Sequence, residues 1–174
     1  MTAGSIPHVL WAALLFACAP QNEGQVGLLT PPIATFPLVA DALQPGCGTL
    51  DCHGQIGRNL RLFGARGLRL DPRHNSAEEA TTDAEYAASF RSLTGLEPEA
   101  LDAVVRRGGG DPEDLTLLRK AGGSERHRGG VQLLSGDPLD RCLRSWLASQ
   151  SAAPIDQMSC RRVAEHPRPP LPGP

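Results

Sequence analysis

The sequence is poor in aromatic side chains, which make up 4% of it, and two of the seven, Trp11 and Phe16, lie in its first twenty positions. A core with so few large groups is easier to stabilise with a disulfide or a bulky apolar cofactor than by packing alone. Lysine is almost absent, Lys120 being the only one, and the basic charge rests on arginine. With abundant Ala, Gly, Pro and Arg, this suggests a GC-rich, bacterial coding sequence. The formal net charge of −2 leaves no excess of either sign to attract nucleic acid or an acidic substrate. There is no apolar run of bilayer-spanning length and no internal repeat. No Gly-rich loop leads into Lys-Ser or Lys-Thr, and no Gly-x-Ser-x-Gly elbow occurs. No second Cys/His pair stands at zinc-finger spacing. Phosphate-loop, serine-hydrolase and finger chemistry are thereby set aside.

Five cysteines are present. The apolar run Val9–Ala19 is too short to span a bilayer and fits the apolar region of a secretory signal. It ends in Leu15-Phe16-Ala17-Cys18, which resembles the bacterial lipoprotein cleavage box and makes Cys18 a candidate lipidation site. The expectation is an exported protein of the periplasm or cell envelope, reaching the membrane through Cys18. In an oxidising compartment each thiol needs an assignment.

The run Cys47-Gly-Thr-Leu-Asp-Cys52-His53-Gly54 sets two thiols and an imidazole in haem-attachment order. The usual spacing between the thiols is two residues; here it is four, which a loop bulging outward between fixed ends can accommodate. Cys47 and Cys52 would carry the haem and His53 would ligate its iron. Cys142 and Cys160 would then form a disulfide worth about 3 kcal/mol in the chain-entropy model. The count closes equally well without haem, if Cys47 and Cys52 pair with each other. For a second axial ligand the candidates are His127, in Arg126-His127-Arg128-Gly129-Gly130, and Met158, two residues before Cys160; His74, in a polar loop, is weaker. A five-coordinate iron is the remaining option. Arg58, Arg61, Arg66 and Arg69 have two readings, as partners for haem propionates or as an outer solvated face. Cys52 and His53 are no thiol–imidazole dyad, because neighbours in sequence point apart. A haem peroxidase would need a distal acid/base pair that nothing in the sequence identifies.

Segmentation follows from punctuation and periodicity. Residues 1–19 read as the signal, 20–35 as a Pro- and Gly-rich linker, 36–162 as the domain, and 163–174 as a Pro-rich disordered tail that includes His166. A helix is expected over Phe36–Gln44, stopped by Pro45-Gly46. Asn59–Leu70 alternates around Gly64-Ala-Arg-Gly67 as a short β-hairpin. Further helices are expected over Asp83–Leu93, from Pro98 to the glycines at 108–110, and from Pro112 through Leu118. The strongest begins at Asp137-Pro138, with Leu139, Cys142, Leu143, Trp146 and Leu147 on one face. The fold class is mostly α with one hairpin.

Four segments in this order, Cys47…Cys52-His53-Gly54, Gly67-Leu-Arg-Leu-Asp71, His127-Arg-Gly-Gly130 and Ser135-Gly-Asp-Pro138 with Ser145-Trp-Leu147, resemble the cytochrome-c-like domains of planctomycete and myxobacterial exported proteins. The resemblance covers roughly residues 36 to 150. It implies one covalent haem c on Cys47 and Cys52, axial ligation by His53, and His127 as the second ligand. The activity it implies is electron transfer to an unidentified redox protein rather than catalysis. The alternative is a haem-free, disulfide-stabilised extracytoplasmic binding or structural lipoprotein.

Overall fold

A computed structural model describes Met1 and residues 27–74, 79–151 and 154–167. Cys18 and the proposed signal lie outside the described residues. The described chain forms six helices: α1 (Phe36–Cys47), α2 (Asp83–Thr94), α3 (Pro98–Arg106), α4 (Thr116–Ala121), α5 (Pro138–Ala148) and α6 (Gln157–Glu165). None is long and apolar enough to cross a membrane.

The core is built on α1, α5 and α6, which pack on one another. Phe36, Val39, Ala40 and Leu43 of α1 are buried, as are Leu139, Cys142, Leu143, Trp146 and Leu147 of α5, the stripe its periodicity predicts. Phe36 packs between Trp146 and Phe90, with ring centroids 5.4 and 5.3 Å away. These three rings concentrate the scarce aromatic surface at one point. Asp137 caps α5 by accepting from the Asp140 N–H at 2.8 Å, and Pro138 follows where a missing N–H costs nothing. The disulfide Cys142–Cys160 ties α5 to α6, and α6 packs against both α1 and α5.

Several boundaries differ from expectation. Pro45-Gly46 does not stop α1, which runs on to Cys47. Proline there removes a single helical bond, and the Gly48 N–H closes the turn on the Gln44 and Leu43 carbonyls at 3.1 and 3.2 Å. The expected helix from Pro112 divides into a 3₁₀ turn, Pro112–Asp114, and α4. Residues 27–35 are no free linker: Pro31 is fully buried and the Trp146 indole donates to the Pro32 carbonyl. Helix α6 runs to Glu165, past Val163 where the tail was expected to begin.

The hairpin over 59–70 is absent; among the described residues there is no strand, only an isolated bridge between Phe63 and Leu68. The alternation is real, since Leu60 and Leu62 are buried. The backbone donors, however, go elsewhere. The Arg61 and Phe63 N–H groups donate to the hydroxyls of Ser92 and Ser89 on α2, at 2.7 and 2.9 Å. With α2 supplying acceptors along one edge, the segment needs no partner strand.

Candidate functional site: two imidazoles and two thiols

The site begins at the last turn of α1. Cys47 ends that helix and is buried; Cys52 is half-buried; both are free thiols. Of the four residues between them Gly48 is buried, while Leu50 and Asp51 face outward, Leu50 59% exposed. The His53 N–H donates to the Cys47 carbonyl at 2.8 Å, and the Cys52 and Gly54 N–H groups donate to the Thr49 carbonyl at 3.0 and 2.9 Å. Arg58 braces the loop from outside, its Nε donating to the Cys52 carbonyl at 3.0 Å. Burial, and then the neighbouring Cys52, pushes the Cys47 thiol up to about 12, so it is a neutral S–H at physiological pH.

The loop is seated by the Gly67–Asp71 segment. A methyl group at Gly67 would stand 1.9 Å from the Gly48 carbonyl oxygen, and one at Gly54 would stand 2.2 Å from the same atom. Only glycine permits this approach. Two residues on, Arg69 enters the interior and pairs with Glu85 of α2, Nε to Oε1 at 2.8 Å, their side chains 4% and 1% exposed. Glu85 also accepts from the Leu70 N–H at 3.0 Å and closes the α2 capping box with Thr82. Burial opposes ionisation of Glu85, but the Arg69, Thr82 and Leu70 donors outweigh it and hold its carboxyl below the usual range. Of the four arginines considered for propionates, Arg69 is committed to the fold and Arg58 to the loop; Arg61 and Arg66 are exposed.

His53 and His127 come together from 74 positions apart. Their rings are nearly parallel, 9° between planes, with centroids 6.0 Å apart. The His53 Nδ1 lies 3.1 Å from the Leu60 carbonyl oxygen, and the His127 Nδ1 lies 3.2 Å from the Gly130 carbonyl oxygen. A carbonyl can only accept, so each Nδ1 carries a proton, which in a neutral imidazole leaves the lone pair on Nε2. Neither Nε2 makes a hydrogen bond among the described residues. This is the outer-shell arrangement of ligating histidines, whose second nitrogen donates to a carbonyl, carboxylate or water. Burial, with His127 and Arg58 adding to it, lowers the His53 pKa despite the Leu60 bond, which favours the neutral, ligating form.

The remaining candidates fall elsewhere. Met158 stands on the outer face of α6, 78% exposed. His74 faces Glu79, Nε2 to Oε2 at 3.8 Å, and its Nδ1 is buried without a hydrogen-bond partner among the described residues. Among the described residues no group of three or more His, Cys, Asp or Glu side chains gathers as a metal site. Sequence reasoning missed the Leu60 and Gly130 carbonyls, which no residue type can signal. It also missed Glu85, although Thr82-x-x-Glu85 is a legible capping box.

Comparisons with protein-family models, with curated proteins and with solved structures find no match to this chain.

Proposed function

We propose that the chain is an exported, monohaem c-type cytochrome-like lipoprotein that carries electrons. Cys47 and Cys52 would hold the haem through thioethers, and His53 and His127 would be its two axial ligands. The observation that carries this reading is the imidazole pair: parallel, 6.0 Å apart, each with Nδ1 tethered to a carbonyl and Nε2 left as an acceptor. A merely solvated histidine has no reason to meet a second one in this arrangement. The two free thiols at the mouth of the same loop, beside a Cys142–Cys160 pair that is closed, support it further.

Bound haem would supply a one-electron couple at its iron. The chain's own part is to favour the neutral form of His53 and to tether the Nδ1 of both imidazoles to backbone carbonyls. Of the two proposed second ligands, His127 is favoured over Met158 by position. Histidine in place of methionine puts the potential below that of a His/Met site. The wide cysteine spacing is compatible with attachment because Leu50 and Asp51 face outward while Cys47 and His53 stay bonded to each other. The redox partner would be a protein reached at the cell envelope.

The test is a pyridine haemochrome spectrum and an intact mass of protein matured in a periplasm that attaches c-type haem. A c-type α-band with one added haem is expected. No α-band, together with a mass showing Cys47 and Cys52 joined to each other, would refute the reading in favour of the haem-free module.

A further inference from the structure

Residues 60–63 run between the His53 loop and α2 and bond to both. Their bonds alternate from edge to edge, as those of an extended chain do. Leu60 and Leu62 serve the loop: the Leu60 carbonyl accepts from the His53 Nδ1 at 3.1 Å, and the Leu62 N–H donates to the His53 carbonyl at 2.9 Å. Arg61 and Phe63 serve α2, where their N–H groups donate to the Ser92 and Ser89 hydroxyls at 2.7 and 2.9 Å. The two serines are three residues apart and share one face of the helix. A hydroxyl inside a helix often turns back to the carbonyl four residues earlier, as Thr94 does with Phe90 at 2.9 Å. Ser89 and Ser92 reach across to the neighbouring segment instead, and Ser89 is fully buried there.

The Leu60 carbonyl and the Arg61 N–H belong to one peptide group. The His53 Nδ1–H donates to its oxygen, and its own N–H donates to the Ser92 Oγ. Chains of this kind polarise, so an amide whose N–H is bonded is a better acceptor at its oxygen. We infer that Ser92 is a positioning residue for His53, orienting the imidazole and strengthening its tether through that single peptide, with Ser89 pinning the same segment two residues on. The partner of a ligating histidine's second nitrogen fixes its tautomer and raises its basicity, and such outer-shell bonds are among the levers on a haem potential. That His53 ligates iron rests on the cytochrome reading above; that Ser92 positions it does not. The His127 tether lies within its own turn, where the Gly130 N–H also donates to the His127 carbonyl at 3.1 Å. It is therefore an internal control.

The full chain carrying Cys47→Ala/Cys52→Ala, which holds no covalent haem, provides the test. Imidazole nitrogen NMR at about pH 8, where histidines are neutral, reads which ring nitrogen carries the proton. With Ser92 in place, His53 should be mainly the Nδ1–H form. Ser92→Ala, which favours the helix, should lower the His53 ratio of Nδ1–H to Nε2–H at least two-fold, the scale of one weakened hydrogen bond. The His127 ratio should not move, and Ser92→Thr, which keeps the hydroxyl, should restore His53. A His53 that is mainly Nε2–H with Ser92 in place overturns the inference, whether or not the alanine variant folds. An unmoved His53 ratio in Ser92→Ala, an equal shift at His127, or no recovery in Ser92→Thr overturns it as well. In haem-loaded protein, Ser92→Ala should lower the ratio of ferric to ferrous iron at a fixed poise, because a weaker tether makes the imidazole a poorer donor to the ferric ion; an unchanged or raised ratio counts against it. A wild type that takes up no haem refutes the cytochrome reading alone, and the tautomer ratio still decides this one.

Discussion

Replacing Glu85 with alanine should cost the fold about 3–5 kcal/mol, the range for breaking a buried ion pair by removing one partner. The burial is what sets that magnitude. With side chains 4% and 1% exposed, Arg69 and Glu85 are not screened by water, unlike the surface pairs of this chain. Without the carboxylate, the Arg69 guanidinium still donates to the Glu79 and Ala80 carbonyls, at 2.8 and 3.0 Å, but loses its counter-charge. The capping box of α2 and the acceptor for the Leu70 N–H disappear at the same time. For a domain of this size the melting temperature should fall by roughly 10 °C. Urea unfolding followed by circular dichroism measures the loss. A second prediction comes from the double variant Arg69→Leu/Glu85→Leu, which should be markedly less damaged than the single one, since apolar groups replace both charges. The pH dependence has a fixed sign. Because the folded carboxyl sits below the ordinary value, its contribution is complete above the unfolded pKa, near 4.3, and disappears as pH falls through the lower, folded value. Glu85→Ala should flatten that acid limb. A single-variant loss under about 1 kcal/mol would refute this account of the pair.

Three further outcomes are expected. In haem-loaded protein, His127→Ala should convert a low-spin spectrum to a high-spin one while Met158→Ala leaves it unchanged; the reverse pattern would transfer the ligand role to Met158. Gly67→Ala, which sets a methyl group 1.9 Å from the Gly48 carbonyl oxygen, should destabilise by about 1–3 kcal/mol and lower the yield of haem attachment. Unaltered stability in urea would show that the contact is slack. In the haem-free Cys47→Ala/Cys52→Ala chain, stability should decline below about pH 6.5, because His53 takes up its proton more readily once unfolded; the sign follows from a folded pKa lying below the unfolded one. His53→Gln in that background should remove this part of the slope, and an identical slope would refute the assignment.

Some of this architecture could be read from residue order, and the reasons are particular. Leu139, Cys142, Leu143, Trp146 and Leu147 repeat at helical spacing behind an Asp-Pro start, so α5 and its buried face were visible. The Cys142–Cys160 pairing followed from that face together with the cysteine count, and the structure contains it. The hairpin failed because period-two alternation reports which side chains are buried, not where the backbone donors go. Here they go to Ser89 and Ser92, about thirty positions away. Helix α6 was obscured by the adjacent Pro-rich tail, although Asp156 capping the Ser159 N–H was a usable start signal. At the site, the Cys-His run and His127 were both singled out. Their meeting was not derivable, since each ring is oriented by a backbone carbonyl, of Leu60 and of Gly130, that no residue type announces. The Arg69–Glu85 pair was hidden for a similar reason: an arginine in an alternating segment looks solvated until its partner helix is placed.

The anchorage of residues 27–35 on α5, through Pro31, Pro32 and the Trp146 indole, sets a leash length. Had those residues been slack, a lipid on Cys18 would leave the domain free to roam. The chain is first tied to the domain at Leu29, whose N–H donates to Asp102 at 2.7 Å, and the stretch from there back to Cys18 reaches about 40 Å when fully drawn out. A lipid-anchored form is therefore confined to a thin layer over the bilayer. On the proposed reading, its redox partners would then be proteins at that same membrane face.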